Sequence, residues 1–374
     1  MPGIYIHIPF CKSRCIYCGF YSTTLLGMRG EYVDALCREA RLRRGYVHEP
    51  FSTIYIGGGT PSVLGASTIG RLLGDIYNVY SVSDDAEVTV ECNPDDVTPA
   101  FARELAATPV NRVSMGAQTF SDARLRLLRR RHGAHDIAAA VDNLRRAGIS
   151  NISIDLMFGF PGETLDDWRA DITRALALGV EHISAYSLMY EEGTPLYAML
   201  EEGRVGEIDE ELSLAMYGEL TERLTAAGYE HYEISNFARP GFRSRHNSGY
   251  WRREPYIGLG AAAHSFDLRS RQWNVADISR YVSSISRGEV PAEREELDAR
   301  TTFNDIITTA LRTREGISLE ALARLLGAGY REALLSAAGR YVDGGLLAVS
   351  SGRLHLTRRG ICVSDMVMSG LMIV

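Results

Sequence analysis

The sequence lacks the cysteine content of a disulfide-stabilised protein. Six cysteines occur in 374 residues, and only three of them lie close together. The other three, Cys37, Cys92 and Cys362, are scattered along the chain. Clustered thiols without a disulfide framework are typical of proteins that hold a metal in a reducing compartment. The cysteine usage therefore indicates a metal-binding protein of the cytoplasm.

The chain also lacks a basic excess and long apolar runs. The net charge is −7 and the pI is about 5.8, whereas general nucleic-acid binders are usually basic. No apolar run reaches the roughly 20 residues of a membrane-spanning helix, and no signal-peptide pattern opens the sequence. These absences predict a cytoplasmic protein with no transmembrane segment and no nucleic-acid partner. With 45% hydrophobic residues, the chain can bury a large core.

Three cysteines close behind the first apolar run form the most specific motif. Cys11, Cys15 and Cys18 have C-x3-C-x2-C spacing, so one loop carries all three thiols. A four-iron cluster held by three thiolates keeps one iron open to another ligand. A structural zinc site is the alternative, but it usually takes four protein ligands, and no second cysteine pair lies nearby. Buried free cysteines are a third interpretation, which the polar residues between the first two cysteines disfavour.

Six short apolar runs alternate with segments of helical spacing, of which 29–44 and 134–147 are the clearest. This alternation predicts βα units and a parallel sheet. The sheet is either open and doubly wound or a partial barrel, and both forms bind ligands at the carboxyl ends of their strands. The predicted strands are 4–8, 53–56, 86–91, 113–117, 152–158 and 182–189.

Polar or glycine-rich residues occur where several predicted strands end. The second strand is followed by GGGTP at 57–61, the third by ECNP at 91–94, and the fourth by GAQ at 116–118. Asp155 lies within the fifth. Each feature alone is explained as well by a turn or a helix cap. Their occurrence on successive strands predicts one ligand site.

The remaining chain changes character twice. Residues 229–265 are dense in aromatic residues and glycine and are predicted to be irregular. From about 301, two or three helices precede two short strands, which resembles a winged-helix module. DNA binding is one interpretation of this module, but the acidic charge favours a structural or lid role. The predicted domains are 1–228, the connecting region 229–300, and the winged-helix-like domain 301–374.

The cysteine spacing and GGGTP resemble the radical S-adenosylmethionine (SAM) superfamily. Residues 5–10 (YIHIPF) narrow the resemblance to the oxygen-independent coproporphyrinogen III oxidase family. The resemblance implies an α/β fold, namely a partial (β/α)6 TIM-like barrel with a C-terminal winged-helix-like α+β domain. It implies a [4Fe-4S] cluster on Cys11, Cys15 and Cys18. The implied SAM contacts are Tyr5, Tyr17, Gly58, Gly59, Thr60, Glu91, Gln118, Arg130 and Asp155.

Two features distinguish two branches of this family. True coproporphyrinogen dehydrogenases carry a fourth cysteine and an N-terminal extension, whereas here Phe20 takes the fourth position and ten residues precede Cys11. The HemW-type heme-chaperone branch has Phe there and an H-N-x-x-Y-W motif, which residues 246–251 (HNSGYW) match. The resemblance therefore implies that heme is bound and passed to an apoprotein. Gly19 stands where commoner members of the family frequently have Asp, and we do not expect this difference to abolish cluster binding.

Heme requires an apolar surface and an axial ligand such as histidine. The resemblance favours His246 as that ligand, with His264 second, while His7 is expected to support the cysteine loop. Oxygen-independent coproporphyrinogen III oxidation is the main alternative function. A radical SAM methyltransferase, a heme-modifying enzyme and a DNA-binding regulator also stay open. The sequence does not decide between carrier and enzyme, nor whether the chain dimerises or contacts a membrane protein.

Overall fold

Parallel strands and helices alternate through the first half of the chain. The computed structural model describes residues 2–373. The strands are β1 (Gly3–Ile8), β2 (Phe51–Gly58), β3 (Val82–Cys92), β4 (Arg112–Gln118), β5 (Asn151–Phe158), β6 (His182–Ser187), β7 (Glu230–Glu233), β8 (Asn236–Ala238), β9 (Tyr256–Leu259), β10 (His264–Phe266), β11 (Ser270–Asn274), β12 (Ala292–Glu296), β13 (Ile317–Ser318), β14 (Leu347–Ser350) and β15 (Arg353–Leu356). The helices are α1 (Arg29–Leu42), α2 (Ala66–Val79), α3 (Pro99–Ala106), α4 (Asp122–Leu127), α5 (Ala134–Arg146), α6 (Leu165–Leu178), α7 (Pro195–Glu201), α8 (Glu210–Ala226), α9 (Arg245–Trp251), α10 (Ile278–Ser286), α11 (Ala299–Ala310), α12 (Leu319–Leu326), α13 (Ala328–Asp343), α14 (Arg358–Ile361) and α15 (Ser364–Leu371).

Strands β1 to β6 lie side by side in chain order and are all parallel. A doubly wound sheet reverses its strand order at a switch point. The uninterrupted order from β1 to β6 is instead that of a partial barrel. The predicted parallel sheet is confirmed, and of its two predicted forms the barrel is the one that occurs.

The alternation of side chains along each strand explains the two faces of the sheet. In β1, Ile4, Ile6 and Ile8 are fully buried in the main core, whereas Tyr5 and His7 point to the opposite face. The inner face of the barrel is consequently polar. Its residues on the next strands include Thr53, Tyr55, Glu87, Thr89, Glu91, Arg112, Ser114, Ser153 and Asp155.

Short strands extend both edges of this sheet. On one side β9 pairs parallel with β1 and is followed by the antiparallel strands β10, β11 and β12. On the other side β8 pairs antiparallel with β6 and carries β7. The prediction of irregular structure over 229–265 is therefore wrong for β7, β8, β9 and the start of β10. With three or four residues each, they are too short for an alternating pattern to be recognised in the sequence.

A buried carboxylate on α1 holds the added strands to the barrel. Glu39 is fully buried and accepts hydrogen bonds from Gly260 N at 2.8 Å, Asn274 Nδ2 at 2.8 Å and Tyr281 Oη at 2.6 Å. Arg43, the residue directly after α1, forms an ion pair with Glu39 at 3.2 Å. These bonds join α1 to the turn after β9, to β11 and to α10.

The C-terminal residues form a separate core with winged-helix-like topology. Helix α11 is followed by β13, α12, α13 and the hairpin β14–β15, and the three strands pair in the order β13-β15-β14. Phe303, Ile307, Leu334, Leu354 and Val367 belong to this core. The predicted helices and hairpin are confirmed, whereas the two-residue strand β13 was not predicted.

Candidate functional site

The three clustered cysteines lie on the loop after β1, at the carboxyl ends of the central strands. Cys11, Cys15 and Cys18 line one cavity, which we call the cysteine cavity. Of the nine residues predicted to contact SAM, all except Tyr5 line this cavity. They are Tyr17, Gly58, Gly59, Thr60, Glu91, Gln118, Arg130 and Asp155. The strand order thus brings together residues that are up to 144 positions apart.

The glycine-rich turn after β2 packs directly on the cysteine loop. Gly59 N donates to Ile8 O at 2.8 Å, and Thr60 N donates to Phe10 O at 2.8 Å. Thr60 Oγ1 lies 3.5 Å from Cys11 Sγ. A Cβ atom on Gly59 would lie 2.8 Å from Phe10 O and 3.0 Å from Cys11 Sγ. Glycine is required at this position because a side chain would displace the first cysteine.

Arg130 links the cysteine loop to β4. Its Nη1 atom lies 3.4 Å from Cys15 Sγ, and its Nη2 atom donates to Gly116 O and Asn93 Oδ1, each at 2.6 Å. A guanidinium in this place stabilises sulfur ligands that carry negative charge. A Cβ atom on Gly116 would lie 2.6 Å from Gln118 Nε2 and 3.0 Å from Arg130 Nη2, so both side chains would have to shift.

The placement of the thiols fits an iron–sulfur cluster better than zinc. Among residues 2–373, no three His, Cys, Asp or Glu side chains converge closely enough to hold one metal ion. Zinc would bring every sulfur ligand to about 2.3 Å from a single point. In a [4Fe-4S] cluster each thiolate binds a different iron, so the sulfur atoms stay farther apart. Burial raises the pKa of Cys11 and Cys18, so iron binding would release protons.

Two carboxyl groups on the inner face of the barrel lie below the cysteine loop. Glu91 accepts hydrogen bonds from Tyr55 Oη at 2.7 Å and from Gly58 N at 3.1 Å. Burial raises the pKa of Glu91 to about 7, and the charge of Asp155 adds to this effect. Burial also raises the pKa of Asp155. Such carboxylates can accept hydrogen bonds from an ammonium group or from ribose hydroxyls.

We expect Glu91→Gln to stabilise the ligand-free protein at pH 8 and not at pH 5. The pKa of Glu91 is about 7 in the fold and 4.5 ordinarily, so the folded state retains a proton that the unfolded chain releases. The proton on Glu91 therefore stabilises the folded state fully below about pH 4.5, and this stabilisation is lost as the pH rises through 7. Urea unfolding at pH 8 should show a gain of about 1 kcal/mol.

The exposed carboxylate Glu104 on α3 provides the control for this experiment. Glu104→Gln should leave the pH dependence of unfolding unchanged. Equal effects of Glu91→Gln at pH 5 and pH 8 would show that its influence does not come from ionisation.

A second cavity of about 670 Å³ lies on the other side of the cysteine loop. We call it the aromatic cavity. Phe20, which stands where a fourth cysteine occurs in one branch of the family, lines both cavities and is 72% exposed. The phenyl, phenol and indole rings that line the aromatic cavity are those of Tyr5, Phe20, Tyr21, Tyr250, Trp251, Tyr256 and Phe266.

Tyr5 lies in the aromatic cavity and not among the other predicted SAM contacts. Its hydroxyl group shares a hydrogen bond with His7 Nδ1 at 2.9 Å, and its ring stacks on Tyr55 with 6.3 Å between centroids. Tyr55 in turn holds Glu91, a role that was not predicted. The sequence could have indicated this role. Tyr55 pairs with Tyr5 in the register of β2 and β1, so both side chains point to the inner face of the barrel.

His246 lies inside the fold, on the first turn of α9. Only 3% of its surface is exposed. Its Nδ1 atom shares a hydrogen bond with Thr53 Oγ1 at 2.8 Å, and its Nε2 atom shares one with Tyr250 Oη at 2.8 Å. Burial lowers the pKa of His246 to about 3. Both ring nitrogens are engaged, so this geometry does not fit the predicted role of His246 as the heme ligand.

Comparison with known proteins gives matches along nearly the whole chain. The radical SAM superfamily model matches residues 5–175, and the HemN C-terminal domain model matches residues 297–363. Heme chaperone HemW of Mycobacterium tuberculosis is 35% identical, and the match covers 99% of this chain and 94% of that protein. The chain belongs to the HemW family. Heme chaperone HemW of Bacillus subtilis is also 35% identical, with 96% of each chain covered.

The HemW family was the branch predicted from Phe20 and the HNSGYW motif, and this prediction is confirmed. A solved structure with a similar fold is the coproporphyrinogen III oxidase HemN of Escherichia coli. It matches with a TM-score of 0.85 at 22% identity, covering 99% of this chain and 90% of that chain. This likeness confirms the radical SAM fold for the HemW-family chain.

Proposed function

We propose that this chain is a heme chaperone, which binds heme and transfers it to apoproteins. The observation that carries this proposal is the match over nearly the full length to proteins named heme chaperone HemW. Phe20 supports it, because an exposed phenylalanine replaces the fourth cysteine of the porphyrinogen-oxidising branch. The partners that this function requires are heme and a heme-receiving apoprotein.

The cysteine cavity would hold a [4Fe-4S] cluster and SAM. Cys11, Cys15 and Cys18 would bind three irons of the cluster. When bound, the cluster would supply an electron to the sulfonium group of SAM. Gly58 and Gly59 line this cavity beside the cysteine loop, and without side chains their backbone can approach the methionine part of SAM. The polar groups available to the rest of SAM are Tyr17, Thr60, Glu91, Gln118, Arg130 and Asp155.

We also propose a cytoplasmic location and a division of the chain near residue 301. The location is supported by the six cysteines, all of which are free thiols. The division is supported by the separate C-terminal core, which begins at Phe303. Residues 229–300 contribute strands to the barrel sheet and so belong with the barrel. Among residues 2–373, no helix has the length and apolar character needed to cross a membrane.

The proposed function predicts stoichiometric heme binding followed by transfer. We expect protein reconstituted anaerobically with iron and sulfide to bind about one heme per chain, seen as a shifted Soret band. Apomyoglobin, added as a general acceptor, should then take up the heme. The measurement is the rate at which the myoglobin spectrum appears, compared with free heme and with heme on serum albumin.

The same preparation distinguishes the heme-carrier function from the porphyrinogen-oxidising enzyme function. With reductant, SAM and coproporphyrinogen III, the carrier should form no protoporphyrinogen, as measured by chromatography after oxidation. Formation of protoporphyrinogen by protein with an intact cluster, or the absence of any Soret shift, would show that the heme-chaperone proposal is wrong.

A further inference from the structure

We propose that heme binds in the aromatic cavity and that His264 is its axial ligand. The inference rests on the proposed function, since it locates the heme of that function. The cavity lies next to the cysteine loop and is closed on one side by α11 of the C-terminal domain, which contributes Asp305 and Thr308.

His264 has a free imidazole that borders the aromatic cavity. It is exposed at the start of β10, and within residues 2–373 its ring nitrogens have no hydrogen-bond partner. Its ring stacks on Trp273 of β11, with 6.2 Å between centroids and 28° between planes, which fixes its orientation. Partial burial lowers the pKa of His264, which favours the neutral imidazole that binds iron.

The other histidine in this cavity is not available. His7 Nδ1 shares a hydrogen bond with Tyr5 Oη at 2.9 Å, and His7 Nε2 shares one with the carbonyl oxygen of Tyr21 at 3.0 Å. His246 lies behind Tyr250, with both nitrogens engaged. His264 is therefore the one histidine of the described cavity wall that can bind iron without breaking a hydrogen bond.

The walls of the aromatic cavity suit a flat apolar ligand. Its volume of about 670 Å³ falls within the roughly 300–1,000 Å³ of small-molecule sites. Aromatic rings prefer offset stacking or edge contacts with other rings. Phe20 is 72% exposed, and a bound macrocycle would remove this ring from water. The buried Trp251 Nε1 atom has no partner within residues 2–373, so the wall also offers an unused donor.

Two arginine guanidinium groups on the wall of the aromatic cavity can bind the propionate groups of heme. Arg253 contacts Asp305 Oδ2 at 3.2 Å, and Arg271 contacts Asp305 Oδ1 at 3.4 Å. Both therefore share a single carboxylate on the wall. Glu295 of β12 lies 3.5 Å from Arg271, but it does not line the cavity. Burial lowers the pKa of Arg253, and a further carboxylate would offset this cost.

Heme titration of single-histidine variants tests the axial ligand. We expect His264→Ala to weaken heme binding at least about tenfold and to change the Soret maximum, and we expect added imidazole to restore the spectrum. His246→Ala should keep the wild-type Soret position, with unfolding curves recorded to confirm that the variant is folded. The exposed His48 gives the control variant His48→Ala.

The outcomes separate this inference from the proposed function. If the wild type binds no heme, the proposed function fails. If the wild type binds heme and His264→Ala has an unchanged affinity and spectrum, the function stands and the ligand assignment is wrong. Loss of binding in folded His246→Ala, with retention in His264→Ala, would equally overturn the assignment.

A porphyrin with esterified propionates tests the cavity independently of the histidine. We expect wild-type protein to bind heme about tenfold more tightly than heme dimethyl ester. Arg271→Met should reduce this preference. Equal affinities of the wild type for heme and its ester would contradict propionate binding by Arg253 and Arg271.

Discussion

Replacement of Cys15 by alanine should abolish assembly of the [4Fe-4S] cluster. The loop then supplies two thiolates, and Cys92, a further cysteine on the cavity wall, is buried at the end of β3 and lies outside the loop. After anaerobic reconstitution, iron content should fall from about four atoms per chain to below about one. Absorbance near 400 nm, measured together with acid-labile sulfide, should fall in parallel.

Two further cysteines provide matched controls for this loss. Cys37 is buried on α1 and Cys362 is exposed near the C-terminus. Cys37→Ala and Cys362→Ala should retain the iron and sulfide content of the wild type. A full cluster in Cys15→Ala, or its loss in Cys362→Ala, would be incompatible with the three-cysteine site.

Glu39→Ala should destabilise the fold by about 3–5 kcal/mol. The carboxylate is fully buried and accepts hydrogen bonds from Gly260, Asn274 and Tyr281. Its removal leaves Gly260 N and Tyr281 Oη without this acceptor and the charge of Arg43 without its ion-pair partner. Because the turn after β9 leads directly to His264, we also expect weaker heme binding. Urea unfolding followed by circular dichroism measures the first effect.

The same helix offers a control for Glu39. Glu31 is exposed in the first turn of α1, so Glu31→Ala should cost less than about 1 kcal/mol. A loss of similar size in both variants would mean that the hydrogen bonds of Glu39 do not hold the added strands.

Local patterns explain which features could be predicted from the sequence. The cysteine spacing, the glycine-rich turn and the strand ends are defined by neighbouring residues, and the strand order then places them together. The engagement of His246 Nδ1 could not be recognised, because its partner Thr53 lies 193 positions away. The shared carboxylate of Asp305 likewise depends on α11 meeting β11 across the domain boundary.

The strands β7 to β12 illustrate the same limit. Each is short, and the two groups of added strands join the barrel through β9, which pairs with β1, and β8, which pairs with β6. The pattern of aromatic residues and glycine over 229–265 indicates function only after β9, β10 and α9 bring Tyr250 and Tyr256 to one wall with Phe266. The aromatic cavity therefore arises from tertiary contacts and not from a motif.

Phe20 is a wall of both the cysteine cavity and the aromatic cavity. A ligand that repositions this ring on one side changes the space on the other side. Thermodynamic linkage then requires reciprocity: the factor by which SAM changes the affinity for heme equals the factor by which heme changes the affinity for SAM. With heme in the aromatic cavity, as proposed, this one side chain would couple ligand binding at the iron–sulfur site to the retention of heme.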